Sequence, residues 1–381
     1  MSDIDRLRLA RTEGVGPVTY RRLLRRYATP AQALAALPDL ARAGGRRHAP
    51  PIPSSGSVER EMERVRRLGG RLLFVDQPDY PALLGLLEDA PPVLFAQGDP
   101  AALSLPAVAL VGSRNASANG QRMAELLGHQ LAQARRAVVS GLARGIDAAA
   151  HEGALRAGIT VACIAGGLDV PYPPEHARLQ VRIAREGAVV SEMPPGTEPQ
   201  ARHFPRRNRI IAGLSLGVVV VEAAMRSGSL ITARLAQEAG RELFAVPGSP
   251  LDPRCRGGND LIRNGAHLVE SAEDVLVNLP DHPGREGLQR DPLFARPQPP
   301  PALREAADPW PTTDLTTRDA ALVRRTVLQL LGPAPTSVDE LARRCQFSTA
   351  TINSALMDLE LAGRVEALPG NRFALIGEAG P

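Results

Sequence analysis

The middle of this chain is predicted to fold as a doubly wound, mostly parallel α/β sheet. A helical domain should precede it and a winged helix follow it. Three patterns predict this. Between residues 70 and 279, short apolar runs alternate with helical stretches of about 10–15 residues. Residues 1–48 carry leucines and tyrosines at helical spacing, and residues 316–377 read as helix, turn, helix and hairpin. A length of 381 residues suits two or three domains, one with a sizeable core.

In the first domain, 1–68, apolar residues recur at Leu7/Leu9, Tyr20/Leu23/Leu24/Tyr27 and Leu34/Leu37/Leu40. Gly14-Val15-Gly16-Pro17 breaks the pattern into separate helices. Residues 49–57 are rich in Pro and Ser and read as a linker, and 58–68 as one more helix. The strands of the α/β domain, 70–279, are expected at Leu72–Val75, Val108–Val111, Val138–Ser140, Val161–Ala165, Ala188–Ser191, Val218–Glu222 and Leu243–Val246. The central ones are continuous apolar runs, as strands covered on both faces require. Residues 280–315, with Pro297, Pro299, Pro300 and Pro301, form a proline-rich linker. In the last domain, 316–377, one helix starts at Thr336–Glu340, Phe347-Ser348-Thr349 makes a turn and Ala350–Ala362 forms a second helix. Arg364–Ala367 and Arg372–Leu375 flank Gly370-Asn371 as a hairpin.

All 45 basic side chains are arginine, and the formal net charge is +4. Residues 1–70 hold 14 Arg against 7 acids, a local +7. Residues 71–280 hold 20 against 21, so a basic cluster there stands on a neutral body. Cys163, Cys255 and Cys345 lie far apart, without metal-ligand spacing, which implies a reducing compartment and neither disulfides nor a metal site. No run reaches the ~18 apolar residues of a membrane span, and no apolar signal core is seen, so a cytoplasmic protein with no membrane partner is expected.

Arg202, Arg206, Arg207 and Arg209 fall within eight positions that contain no carboxylate, with Phe204 among them. Cations this dense repel one another unless a polyanion or several carboxylates face them. An aromatic ring beside them offers a face to a nucleobase. The competing reading is a solvated basic turn paired with nearby acids. Four small-residue turns follow strands: Gly112-Ser113-Arg114-Asn115, Ser140–Asp147, Gly166–Asp169 leading into Tyr172-Pro173-Pro174, and Ser227-Gly228-Ser229 after Glu222. In an open parallel sheet such turns gather on one edge, where helix N-termini favour phosphate. A glycine at such a turn can equally serve steric packing.

No G-x-G-x-x-G opens the first turn, and a chain without lysine has no Walker A motif. Asp147 and His151, four apart, suit either an acid/base pair or a hydrogen bond within the helix that fixes the turn. Glu192 and Glu222, at strand ends, could orient the arginines. With no nucleophile elbow or clustered carboxylates, the chain reads as a binder without catalytic residues, cofactor or metal.

Taken together, Gly112-Ser113-Arg114, Ser140-Gly141-x-Ala143-x-Gly145-Ile146-Asp147, Ser191-Glu192-x-Pro194-x-Gly196 and Phe204-Pro205-x-Arg207-Asn208-Arg209 closely resemble the DprA/Smf family. Asp79-Tyr80-Pro81, Ser227–Ala233 and Val246-Pro247-Gly248 extend the likeness over about residues 70–270. The resemblance implies an extended Rossmann-like domain and a non-enzymatic protein of natural transformation. Such a protein binds incoming single-stranded DNA, protects it and helps load the RecA recombinase, acting as a homodimer built through the Rossmann-like domain. Arg114 and the Phe204–Arg209 segment fall where the family contacts the strand. Ser113, Gly112, Asn115, Gly141, Arg144, Gly167, Arg202, His203, Arg206, Arg207, Asn208, Arg209, Ser227, Gly228 and Ser229 complete the candidate DNA-binding set. Pro174 departs from a basic residue found in some relatives at that turn.

The Gly14–Pro17 turn and the arginines after it (Arg21, Arg22, Arg25 and Arg26) resemble a helix-hairpin-helix within a sterile-alpha-motif-like domain. This segment serves either as a secondary DNA contact, with double-stranded DNA a further candidate partner, or in packing alone. The second helix of the winged-helix segment, with Asp358 and Glu360 and no Arg, points to protein contact. Two other function classes stand beside this one. A nucleotide phosphoribohydrolase would need a P-G-G-x-G-T-x-x-E run, which Pro247-Gly248-Ser249-Pro250 breaks off. A winged-helix transcription regulator would bind one duplex sequence.

Overall fold

A computed structural model describes residues 2–43, 49–280, 317–332, 334–345, 347–368 and 372–376. Two compact units emerge. One combines the residues up to Val58 with the C-terminal module, and the other starts at Glu59. In the first, helices α1 (Asp3–Ala10), α2 (Pro17–Arg26) and α3 (Pro30–Ala43) bury Leu7, Leu9, Tyr20, Leu23 and Leu37 completely. Pro17 and Pro30 begin their helices, where a missing N–H costs nothing and a fixed φ helps. Helix α4 (Ser55–Arg67) starts earlier than expected and shortens the linker before it.

The second unit is built on a nine-stranded sheet: β1 (Gly70–Phe74), β2 (Val93–Gly98), β3 (Ala107–Val111), β4 (Ala137–Ser140), β5 (Thr160–Cys163), β6 (Ala188–Ser191), β7 (Gly217–Val220), β8 (Glu242–Ala245) and β9 (His267–Leu268). The strand order is β1-β2-β6-β5-β4-β3-β7-β8-β9. From β6 to β9 all neighbours are parallel, while β1–β2 and β2–β6 are antiparallel. The sequence reading lacked β2 and β9. The connecting helices are α5 (Ala82–Gly85), α6 (Ala118–Gln133), α7 (Ile146–Ala154), α8 (Ala177–Glu186), α9 (His203–Leu214), α10 (Gly228–Glu238), α11 (Arg256–Arg263) and α12 (Ala272–Val277).

Strand β3 shows why the sheet is covered on both sides. Its five residues are all buried, yet they divide between two cores. Ala107, Ala109 and Val111 join Ile210 and Ile211 of α9 and Ala233 and Ala236 of α10. Val108 and Leu110 join Leu127 and Leu131 of α6, Ile146 and Ala150 of α7 and Val275 of α12. Period-two side chains on a doubly covered strand produce this alternation, and each fully buried Leu contributes about 1.5–3 kcal/mol. After β6 the chain crosses back to β7 on the far side of β3, which makes the β3–β7 boundary the switch point of the sheet.

The C-terminal module holds α13 (Thr317–Leu330), β10 (Thr336–Ser337), α14 (Val338–Cys345), α15 (Thr349–Leu361), β11 (Val365–Leu368) and β12 (Arg372–Leu375). Its antiparallel sheet runs β10-β12-β11 around a core that includes Val327, Leu341, Leu356 and Phe373. Thr336 and Ser337 pair with Phe373 and Arg372 as a strand, so the helix expected from Thr336 begins at Val338. Ser348 caps α15 by accepting from Thr351 N. Most of the expected proline-rich linker and the Gly370-Asn371 turn lie outside the described residues. No helix among the described residues is long and apolar enough to cross a membrane.

Candidate nucleic-acid interface

The turns expected to cradle phosphate lie at the carboxyl ends of the strands, but three of them are largely occupied by the protein itself. After β3, Ser117 N and Oγ both donate to the Glu222 carboxylate, and Ser117 Oγ accepts from Gly120 N. Glu222, just past β7, therefore caps α6 across the switch point; it does not orient the arginines. After β4, Gly141 N and Ala143 N donate to Asp147 Oδ2 at 3.1 and 3.3 Å. His151 instead bonds Thr160 Oγ1 at 2.7 Å, deep in the core, and burial pushes its pKa down to about 3. Neither the acid/base pair nor the hydrogen bond within the helix is formed. After β5, Gly167 N donates to Thr197 O, and Asp169 accepts from Gly196 N and pairs with Arg64 at 2.6 Å.

Three glycines expected on the binding face accordingly take other roles. Gly167 is buried beneath the 194–197 loop. A Cβ on Gly112 would sit 2.5 Å from Ile146 Cγ1, so that glycine serves helix-on-strand packing. A Cβ on Gly141 would collide with Arg207 Nη1, so Gly141 leaves room for that guanidinium at the pocket wall. In the fourth turn, Ser227 caps α10 and shares a 2.7 Å hydrogen bond with Ser229 Oγ. Asn208 of α9 reaches this turn at Gly228 O, 3.4 Å away.

Helix α9 sorts the arginine cluster. Its buried face presents His203, Arg207, Ile210, Ile211 and Leu214 to the sheet. Arg207 is 6% exposed; its Nη1 lies 3.9 Å from Asp147 Oδ2 and 3.4 Å from Cys163 O. Its Nε has no hydrogen-bond partner among the described residues. Burial pushes the Asp147 carboxyl up and the Arg207 guanidinium down, and each holds the other partly back. Arg209 is locked elsewhere. Its Nη2 donates to both Glu192 oxygens at 2.7 Å and its Nη1 to Asp89 O. Arg209, expected at a DNA contact, is engaged here by Glu192, both of whose carboxylate oxygens accept from its Nη2. His203 is also turned inward, and burial, then Arg202 and Arg206, hold its pKa down. Arg202 and Arg206 are exposed at the start of α9, whose first turn contains no acid. Cations at a helix N-terminus oppose its dipole, so this arrangement costs the fold and favours an incoming anion.

Four elements then meet in a pocket of about 210 Å³. Arg114 and Asn115 come from the turn after β3, Gly141, Ala143 and Arg144 from the turn after β4. Ala165, Tyr172 and Pro173 follow β5, and Phe204 and Arg207 come from α9. The Arg114 guanidinium lies 5.1 Å from the centre of the Phe204 ring, with Arg207 at 6.0 Å. Tyr172 meets Phe204 edge-on at 5.6 Å. Arg144 pairs with Glu175 at 3.0 Å on the surface. Tyr172, Pro173, Ala143 and Ala165 were not in the expected set. Ala143 lies in the expected Ser140–Asp147 turn, Ala165 ends the expected strand 161–165, and Tyr172 and Pro173 lie in the turn leading from Gly167. Arg21, Arg22, Arg25 and Arg26 lie on α2, in the other unit.

The family model for DNA recombination-mediator protein A matches residues 71–280, which include every residue of this pocket. The chain belongs to the DprA/Smf family. Family models for the DprA-like N-terminal HHH domain and the DprA winged helix domain match residues 1–63 and 311–371. Protein Smf of Escherichia coli is 39% identical over 328 residues, covering 84% of this chain and 81% of its own length. DNA processing protein DprA of Streptococcus pneumoniae is 50% identical over 201 residues, 52% of this chain and 71% of its own. The solved Streptococcus pneumoniae DprA aligns with a TM-score of 0.57 at 44% identity, covering 60% of this chain and 80% of that one. DNA processing protein A of Helicobacter pylori, solved to explain its single-stranded DNA binding mode, aligns at 0.50 and 30% identity over 55% and 94% of the two chains.

Proposed function

We propose that this DprA/Smf protein binds single-stranded DNA without sequence preference and without catalysis. On this reading it protects incoming strands and helps load the RecA recombinase in natural transformation, as a cytoplasmic homodimer. The observation that carries the binding reading is the meeting of Arg114, Phe204, Tyr172 and Arg207 in one pocket, beside the exposed Arg202 and Arg206. Guanidinium groups neutralise phosphates, and aromatic rings stack any base, a combination that tolerates sequence. The relative from Helicobacter pylori, described by its single-stranded DNA binding mode, supports the same reading.

The deciding experiment compares single- and double-stranded oligonucleotides of several sequences at matched salt. Preference for single strands of every sequence is expected; tight binding to one duplex sequence would replace this reading with a transcription regulator. Phe204 seats the Arg114 guanidinium as well as offering a ring. Phe204→Ala is therefore expected to weaken single-strand binding by about 1–3 kcal/mol in a fluorescence-anisotropy titration. An unchanged affinity would remove stacking from the account.

A further inference from the structure

The second helix of a helix-turn-helix ordinarily enters a DNA groove. In this winged helix it is α15, which carries Asp358 and Glu360 and no arginine, so it repels phosphate. It meets the basic helix α2 of the N-terminal module through a side-chain contact instead. Thr19 Oγ1, on α2, donates a 2.5 Å hydrogen bond to Glu360 Oε2. Arg22, one turn along, places its guanidinium 5.2 Å from the centre of the Phe373 ring on β12. The charge of Arg22 acts on Glu360 and that of Arg26 on Asp358. Helix α3 packs on α15 as well. Thr19 is fully buried and Asp358 is 7% exposed. Asp358 Oδ2 pairs with Arg324 of α13 at 3.1 Å, while its Oδ1 lacks a hydrogen-bond partner among the described residues. Desolvated carboxylates of this kind require cations or donors facing them. Those come partly from α2, a helix otherwise suited to DNA phosphates.

We propose that α15 is the docking surface for the arginine-bearing α2 of the same chain, and that this contact holds both helices off double-stranded DNA. Asp358 and Glu360 act as internal stand-ins for phosphate. Separating the two modules releases the half-buried Arg21 and Arg22 of α2 to a duplex, beside Arg25 and Arg26, which are already exposed.

The test uses the full chain with Asp358→Asn and Glu360→Gln together, titrated with a mixed-sequence duplex over a range of salt. Duplex affinity should rise about five- to tenfold. The salt slope should steepen by about 2, since each added duplex phosphate contact contributes about 0.9. Asp339→Asn with Glu340→Gln makes the same charge change on α14 and should stay within about twofold of the unmodified protein. Adding Arg22→Ala and Arg26→Ala to the first pair should cancel its gain. Equal duplex affinity in the α15 variant and the unmodified protein, or an equal gain in the α14 control, overturns the proposal. If the α15 variant melts early, Thr19→Ala keeps every charge and removes one hydrogen bond. It must then strengthen duplex binding at least about twofold, and no change overturns the proposal equally.

Discussion

Replacing Arg114, Arg202 and Arg206 together by alanine should reduce single-strand affinity roughly fiftyfold at 0.15 M salt and leave the protein folded. The figure follows from counterion release: each phosphate contact on a single strand contributes about 0.7 to the slope of log K against log salt. Three lost contacts lower that slope by about 2, which at this ionic strength is the stated loss. All three side chains are exposed. Arg202 and Arg206 also oppose the dipole of α9, so their removal should leave the stability unchanged or raise it by up to about 0.3–1 kcal/mol per cation. A salt titration by anisotropy, run beside a thermal melt, reads both quantities. An undiminished slope would show that the strand passes elsewhere.

The reverse separation is expected at Arg209. Its guanidinium is 8% exposed, forks onto Glu192 and reaches the Asp89 carbonyl, so Arg209→Ala leaves Glu192 desolvated and unpaired. Breaking a buried pair from one side costs about 3–5 kcal/mol. For a unit of this size that is roughly 6–20 °C in melting temperature. Arg209→Lys keeps the charge but not the fork, and should fall between the two. Below the melt, single-strand affinity of Arg209→Ala should stay within about twofold of the unmodified protein. A stable variant that fails to bind would return Arg209 to the DNA-facing set.

These outcomes diverge although Arg202, Arg206 and Arg209 sit in one basic run, and the sequence alone did not separate them. Density of charge marked the cluster; the helical register of 203–214 turns Arg207 to the sheet, and the Glu192 carboxylate and Asp89 carbonyl take up Arg209. At 100° per residue, Arg207 follows His203 onto the sheet side with Ile210, Ile211 and Leu214, while Arg202 and Arg206 turn outward. Glycine was ambiguous for a similar reason. Gly141 looked like a place for phosphate, yet it leaves space for a guanidinium that arrives from a segment far along the chain. The strands were readable wherever both faces are covered, because β3 to β8 are continuous apolar runs. Strand β2 is absent from the expected strands although Val93-Leu94-Phe95-Ala96 is a continuous apolar run, and Pro91-Pro92 stands directly before it. Proline is tolerated just before a strand, and this one pairs antiparallel on both sides. Two-residue β9 is too short to carry any period.

The carboxylate of Glu222 against α6 has a consequence for what the cell can offer this protein. In an open α/β sheet, the crevice at the strand reversal is the customary berth for a nucleotide's phosphates. Here a permanent tenant holds that berth, pressed so close that Gly120 has no room for a methyl group. A nucleotide's phosphates would have to displace that carboxylate to reach the Ser117 N–H and hydroxyl.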